Sequence, residues 1–88
     1  MPRRFRNRKA FEINDYLENH EFYIQPTKGD DRIYVRKGYL YAIKTPDRKN
    51  EGIPNGTMDY ILKSIGKCGI KDPKKDVLNW WIENGYGD

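Results

Sequence analysis

Histidine is the side chain best suited to general acid–base work near neutral pH, and this chain has one, His20. It falls at the end of a helical apolar stripe, where a hydrogen-bonded structural role is favoured over a catalytic one. Asp31 is the second candidate base. It lies between Asp30 and Arg32 in what reads as a wet loop. A solvated carboxylate is a poor base for a hydroxyl proton at pH 7, so the simpler reading is a loop acid that helps turn the chain into a strand. Cys68 is the lone cysteine. It cannot form an internal disulfide and reads as a small apolar residue near a helix end. No Ser-His-Asp set, zinc spacing or phosphate-cradling glycine loop is present, so neither metal nor cofactor is expected. Gly29 and Gly38 read as turn glycines.

A second constellation is aromatic and basic. Tyr23, Tyr34, Tyr39 and Tyr41, with Arg32 and Arg36, are expected on the uncovered face of a sheet. Tyrosine rings stack on unpaired bases at about 1–3 kcal/mol each, and arginine pairs with phosphate. The same residues also suit an ordinary half-exposed strand face or a protein interface, and all three readings stay open.

These residues must be positioned by a small set of elements. Ala10, Ile13, Leu17 and His20 recur at helical spacing and predict a helix over about residues 9–20. A strand follows from Glu21, with Phe22 and Ile24 on one face and Tyr23 and Gln25 on the other. Residues 26–30 read as a loop. Residues 33–36 and 39–43 then read as a hairpin closed by a two-residue Lys37-Gly38 turn. That turn would set Val35 opposite Leu40 and Ile33 opposite Ala42 on the core face. Tyr34, Tyr41, Arg36 and Tyr39 would point away from it. Residues 45–52 form a polar loop. Met58, Ile61, Leu62 and Ile65 mark a second helix, capped at Asn55 or Thr57 and ended by Gly66 or Gly69. Asp72 and Pro73 start a third, whose apolar side is Val77, Leu78, Trp81 and Ile82. The order αβββαα predicts an α+β fold, a three-stranded antiparallel sheet with helices on one face.

Eighty-eight residues make one domain, here 10–88 behind a basic N-terminal arm over 1–9. The net charge of +4 is unevenly laid out. Residues 1–9 carry +5, 10–27 carry −4, 28–75 carry +6 and 76–88 carry −3. Such a split suits a polyanion on one side. The arm reads either as a solvated tail or as a phosphate-binding arm. No apolar run is long enough for a signal peptide or membrane span, and a reducing, cytoplasmic compartment is expected.

Between Phe11 and Gly66 the chain resembles the HicA family, the small toxin partners of bacterial toxin–antitoxin pairs. Leu17-Glu18-Asn19-His20-Glu21-Phe22 is similar to the end of that family's first helix and its entry to the sheet. Lys28-Gly29-Asp30-Asp31 falls at the family's Lys-Gly-Ser-His, and Pro46 at its proline after the third strand. The stretch from Gly56 to Gly66, GTMDYILKSIG, is similar to its Gly-Thr-Leu-x-x-Ile-Leu-x-x-Ala-Gly helix. The resemblance implies a fold like double-stranded-RNA-binding domains, ribosome-independent and metal-independent cleavage of mRNA, and neutralisation by a HicB-like antitoxin. It also places Asp31 where the family has its ribonuclease histidine, and Asp47 and Arg48 where it often has others. The implied activity is therefore RNA binding with weak or altered ribonuclease action. The alternative is a non-catalytic RNA-binding or protein-interaction module. The residues expected to touch RNA, mRNA or another single strand, are Arg3, Arg4, Arg6, Lys28, Arg32, Tyr34, Arg36, Tyr39, Tyr41 and Lys44.

Overall fold

A computed structural model describes residues 4–27 and 29–87. Three helices, α1 (Ala10–Glu18), α2 (Asn55–Lys67) and α3 (Pro73–Glu83), pack with strands β1 (Phe22–Gln25), β2 (Asp31–Arg36) and β3 (Ala42–Pro46). The strands form an antiparallel meander in the order β1-β2-β3. The α+β class, the element order αβββαα and the helices on one sheet face are as the sequence predicts.

The apolar stripes drive this packing. Ile13 and Leu17 of α1, Met58, Ile61, Leu62 and Ile65 of α2, and Val77 and Trp81 of α3 are all buried in one core. Each fully buried side chain of this size is worth roughly 1.5–3 kcal/mol. Polar ties fix how α1 sits on the sheet. Buried Asn14 donates to the Pro46 carbonyl at 3.1 Å and accepts from Thr45 Oγ1 at 2.7 Å. The Trp81 indole donates to the Glu12 carbonyl at 2.9 Å, joining α3 to α1.

The sheet turns its expected outer face inward. Tyr34 is fully buried with Phe22 and Ile43, whereas Leu40 is wholly exposed. The Lys37-Gly38 turn exists, closed by Tyr39 N–H donating to the Arg36 carbonyl at 3.0 Å, with Gly38 at φ +91°. But pairing resumes only at Ala42, opposite Val35, and Tyr34 faces Ile43. Tyr39, Leu40 and Tyr41 leave the ladder. The register is thus two residues longer than a two-residue hairpin allows. An even slip does not exchange the two faces; the choice of which one is buried is what differs. Two features explain it. The Tyr34 hydroxyl donates to Glu18 Oε2 at 2.6 Å and accepts from Arg32 at 3.0 Å, so its burial leaves no polar atom unpaired. Phe22 and Ile43 also present larger apolar surfaces than Val35 and Ala42. Tyr23, across from Val35, therefore lies on the opposite face from Tyr34.

The basic N-terminal segment is not a free arm from residue 4 onward. Arg8 is fully buried, its guanidinium 3.9 Å from the centre of the Trp81 ring. It donates to the carbonyls of Arg4, Tyr86 and Gly87 and faces Glu12 Oε2 at 3.7 Å. Glu12, one of the four acids of the −4 segment, is buried with it. Lys9 bridges to Gly52, and the Arg8 carbonyl accepts from Ile53 N–H at 2.9 Å. The side chains of Arg4 and Arg6 are exposed in the turn before α1, and Arg3 lies outside the described residues.

Three tyrosines tie the pH response to the fold. Burial, with the hydrogen bonds to Asp76 and to Glu18, raises the pKa of Tyr16 and of Tyr34. Burial and the Asp15 hydrogen bond push Tyr86 up to about 12 from 10.0. A proton held more tightly in the fold than in the open chain stabilises the fold fully below the ordinary tyrosine pKa. That stability drains as pH rises through the folded value. Alkaline unfolding is therefore expected to set in above pH 10, with these three rings ionising only as the chain opens. Phenolate absorbance that rose to completion before far-ultraviolet dichroism changed would contradict this.

Candidate functional site

Asp31 opens β2, opposite Pro46, instead of lying in the preceding loop. Because Arg32 and Tyr34 turn toward α1, Asp31 turns the other way, with Ile33 and Val35. Its carboxylate lies 3.3 Å from Lys44 Nζ on β3, and both side chains are about half exposed or more, at 46% and 65%. Such a surface pair is worth only about 0–1 kcal/mol, so a competing anion can open it.

This pair stands in an open cleft of about 380 Å³ lined also by Thr45, Pro46, Glu51, Pro54, Thr57 and Tyr60. The first turns of α2 supply Thr57 and Tyr60. That helix starts after Pro54 with no side-chain cap and no acidic residue in its first turn. Its early N–H groups thus keep the positive end of the helix dipole near Lys44, an arrangement that favours an anion. Tyr60 is 39% exposed, and its hydroxyl accepts from the Lys44 backbone N–H at 3.4 Å. Glu51 is held by its backbone, whose carbonyl accepts from Ala10 N–H at 2.8 Å. A second cleft of about 310 Å³, lined by Ile24, Gln25, Thr27, Arg32 and Asp47 among others, also reaches Asp31.

The chain matches no family model, no curated protein and no solved structure. What the cleft can do chemically follows from its own groups. Lys44 and the start of α2 can hold a phosphate, the Tyr60 ring can take a base, and Asp31 can accept a hydroxyl proton once Lys44 is drawn off it.

The other residues singled out in the sequence lie elsewhere. Arg32 donates to Asp47 at 2.7 Å, to Glu18 at 3.1 Å and to the Tyr34 hydroxyl; the Asp47 bond foremost holds its proton more tightly still. Arg36 donates to the Cys68 carbonyl at 2.8 Å, satisfying the end of α2, and lies over the Phe22 and Tyr39 rings. Neither arginine is available on an uncovered face. Tyr34 is core. Tyr39 packs its hydroxyl against Gly69, and Tyr41 sits half-buried beneath Lys67 Nζ, 4.8 Å from the ring centre. Lys28 lies outside the described residues.

His20 is stacked on Tyr16 at 3.9 Å between ring centres, and its Nδ1 donates to the Tyr16 carbonyl at 2.7 Å. Its Nε2 is 3.8 Å from Asp76, which already accepts from the Tyr16 hydroxyl at 2.6 Å. These contacts tie the end of α1 to α3. They do not bring His20 to Asp31. Burial raises the Cys68 thiol, Arg36 partly opposing it. Among the described residues no group of three or more His, Cys, Asp or Glu is placed to hold a metal, and no helix is long and apolar enough to cross a membrane.

Thr57 and Tyr60 fall within the Gly56–Gly66 stretch, but the motif does not place them on the cleft. The cap expected at Asn55 or Thr57 is not made, since Pro54 stands at the cap position with no side-chain bond. A helical wheel of α2 carries the signal. Tyr60, Lys63 and Lys67 recur at i, i+3 and i+7, opposite the apolar stripe.

Proposed function

We propose that this chain is a cytoplasmic, HicA-like RNA-binding domain whose contact with a single-stranded phosphodiester centres on the cleft of Asp31, Lys44 and Tyr60. Its ribonuclease action is weak, and a HicB-like antitoxin protein is its partner. The observation that carries the reading is the placement of Asp31. The position at which the resemblance puts a ribonuclease histidine opens into a cleft with a lysine and an uncapped helix start. Weak action follows from the group at that position: a carboxylate is a poor base for a hydroxyl proton at neutral pH, and Lys44 stays paired with it until a phosphate competes. The basic arm and the tyrosine face are not part of this reading, because Arg8, Arg32, Tyr34 and Arg36 are committed to the fold.

Titrating single-stranded RNA into the protein tests it. Affinity is expected to fall steeply with salt as phosphate contacts release counterions. Lys44→Gln should weaken binding and make the slope of log affinity against log salt shallower by about 0.7, one phosphate contact on a single strand. No RNA affinity at low salt from well-folded protein would leave the protein-interaction alternative in its place.

A further inference from the structure

The far end of α2 gathers a group of exposed lysines. Loop 37–41 folds against it: Tyr39 rests on Gly69, Arg36 holds the Cys68 carbonyl, and Lys67 covers Tyr41. Pro73, the first residue of α3, would lie 3.4 Å from a Cβ at Gly66, so the start of α3 joins the same end. Lys37, Lys63, Lys67, Lys71, Lys74 and Lys75 are all exposed there, and among the described residues none is in an ion pair. Two exposed acids lie close in sequence, Asp72 and Asp59, the latter one turn before Lys63 on α2, while Asp76 is turned to Tyr16 and His20. Three of the other bases are paired, Arg8 with Glu12, Arg32 with Glu18 and Asp47, and Lys44 with Asp31, while Arg4, Arg6, Lys9, Arg48 and Lys49 are exposed away from this end.

We propose that this lysine end binds the phosphate backbone of the RNA strand that occupies the Asp31 cleft, the strand running along the exposed face of α2 from one to the other. The inference rests on the reading of the cleft as an RNA site. Continuity carries it. Tyr60 lines the cleft, and Lys63 and Lys67 continue its face of the helix for about 10 Å at 1.5 Å per residue. The charges are all lysine, point charges on flexible stems that suit successive phosphates without demanding bidentate geometry. The half-exposed rings of Tyr39 and Tyr41 lie beside them for bases to stack on.

The experiment compares the full chain with Lys63→Gln/Lys67→Gln/Lys71→Gln; the first two changes keep helix propensity, the third lies between α2 and α3, and all three side chains are exposed. Each protein is titrated with single-stranded RNA of about three and about twelve nucleotides, lengths below and within the usual span of such sites. The expected result is roughly tenfold weaker binding of the longer RNA, with a salt slope shallower by about 0.7 for each lysine–phosphate pairing removed, and unchanged binding of the shorter one. Unchanged affinity for the longer RNA would overturn the proposal while leaving the cleft reading intact, provided both RNAs still respond to Lys44→Gln. Failure of the natural chain to bind either RNA would remove the cleft reading and this proposal with it. Binding of a polyglutamate peptide that the triple change abolishes, with no effect on RNA, would assign the lysine end to an acidic protein segment instead.

Discussion

Asp31→His is expected to raise RNA cleavage by roughly 10²- to 10⁴-fold over the natural chain, the usual contribution of a well-placed general base. The site is prepared for it. Position 31 faces an open cleft, and the side chain that restrains it is Lys44, 3.3 Å away. Replacing the carboxylate does two things at once. A neutral imidazole can take a 2′-hydroxyl proton near neutral pH, and the ammonium of Lys44 is released to a phosphate. The two effects separate in Asp31→Asn, which frees Lys44 without supplying a base; it should bind RNA more tightly than the natural chain and cleave no faster. His20→Ala should leave cleavage by the Asp31→His protein unchanged, because His20 faces Asp76 and Tyr16. Strong cleavage by the natural chain that survived Asp31→Ala and died with His20→Ala would reverse these roles.

Arg8→Ala is expected to cost about 3–5 kcal/mol, a large share of the roughly 5–15 kcal/mol that holds most domains together. The guanidinium is fully buried, lies on Trp81 and joins three stretches of chain: the turn at Arg4, α1 through Glu12, and the C-terminal carbonyls of Tyr86 and Gly87. Removing it takes that cation from the buried Glu12 carboxylate and that donor from three carbonyls nearer the surface, which costs more than the pair itself contributes. Arg8→Met keeps much of the packing on Trp81 but not the hydrogen bonds, and should recover only part of the loss. Urea unfolding of the three proteins measures it. A change below about 1 kcal/mol for Arg8→Ala would show Arg8 to be a solvated residue after all.

Arg8 also shows where sequence reading stops. An arginine among Arg3, Arg4, Arg6 and Lys9 looks like one more solvated cation, because its partners are backbone carbonyls near the other end of the chain, which no local pattern reveals. The helices were legible because each buries one stripe of a 3.6-residue period, as Ile13 with Leu17 and Met58 with Ile61, Leu62 and Ile65 show. The hairpin was only half legible. Residues 32–36 group correctly by face, since alternation fixes that. But the two faces of β2, Arg-Tyr-Arg and Ile-Val, had to be ranked by hydrophobicity, and the ranking fails when Glu18 and Arg32 satisfy a buried tyrosine hydroxyl. The face inversion that removed Tyr34 from the candidate site is also what turned Asp31 outward into the cleft. Asp31 and Lys44 were legible as neighbours as well as chemistry, since Ile33 opposite Ala42 would carry on to Asp31 opposite Lys44. With Tyr39, Leu40 and Tyr41 out of the ladder, Lys44 faces Ile33 instead and meets Asp31 diagonally.

The central claim is that RNA enters at the Asp31–Lys44 cleft, where one end of the outward sheet face meets the start of α2, and not over the rest of that face. Following backbone amide resonances while single-stranded RNA is added tests this most directly. The largest shifts are expected at Asp31, Lys44, Thr57 and Tyr60, extending along α2 to Lys63 and Lys67, with Tyr23, Val35 and Ala42 at mid-sheet nearly still. Shifts centred on Tyr23, Val35 and Ala42, with the cleft and α2 unmoved, would contradict it.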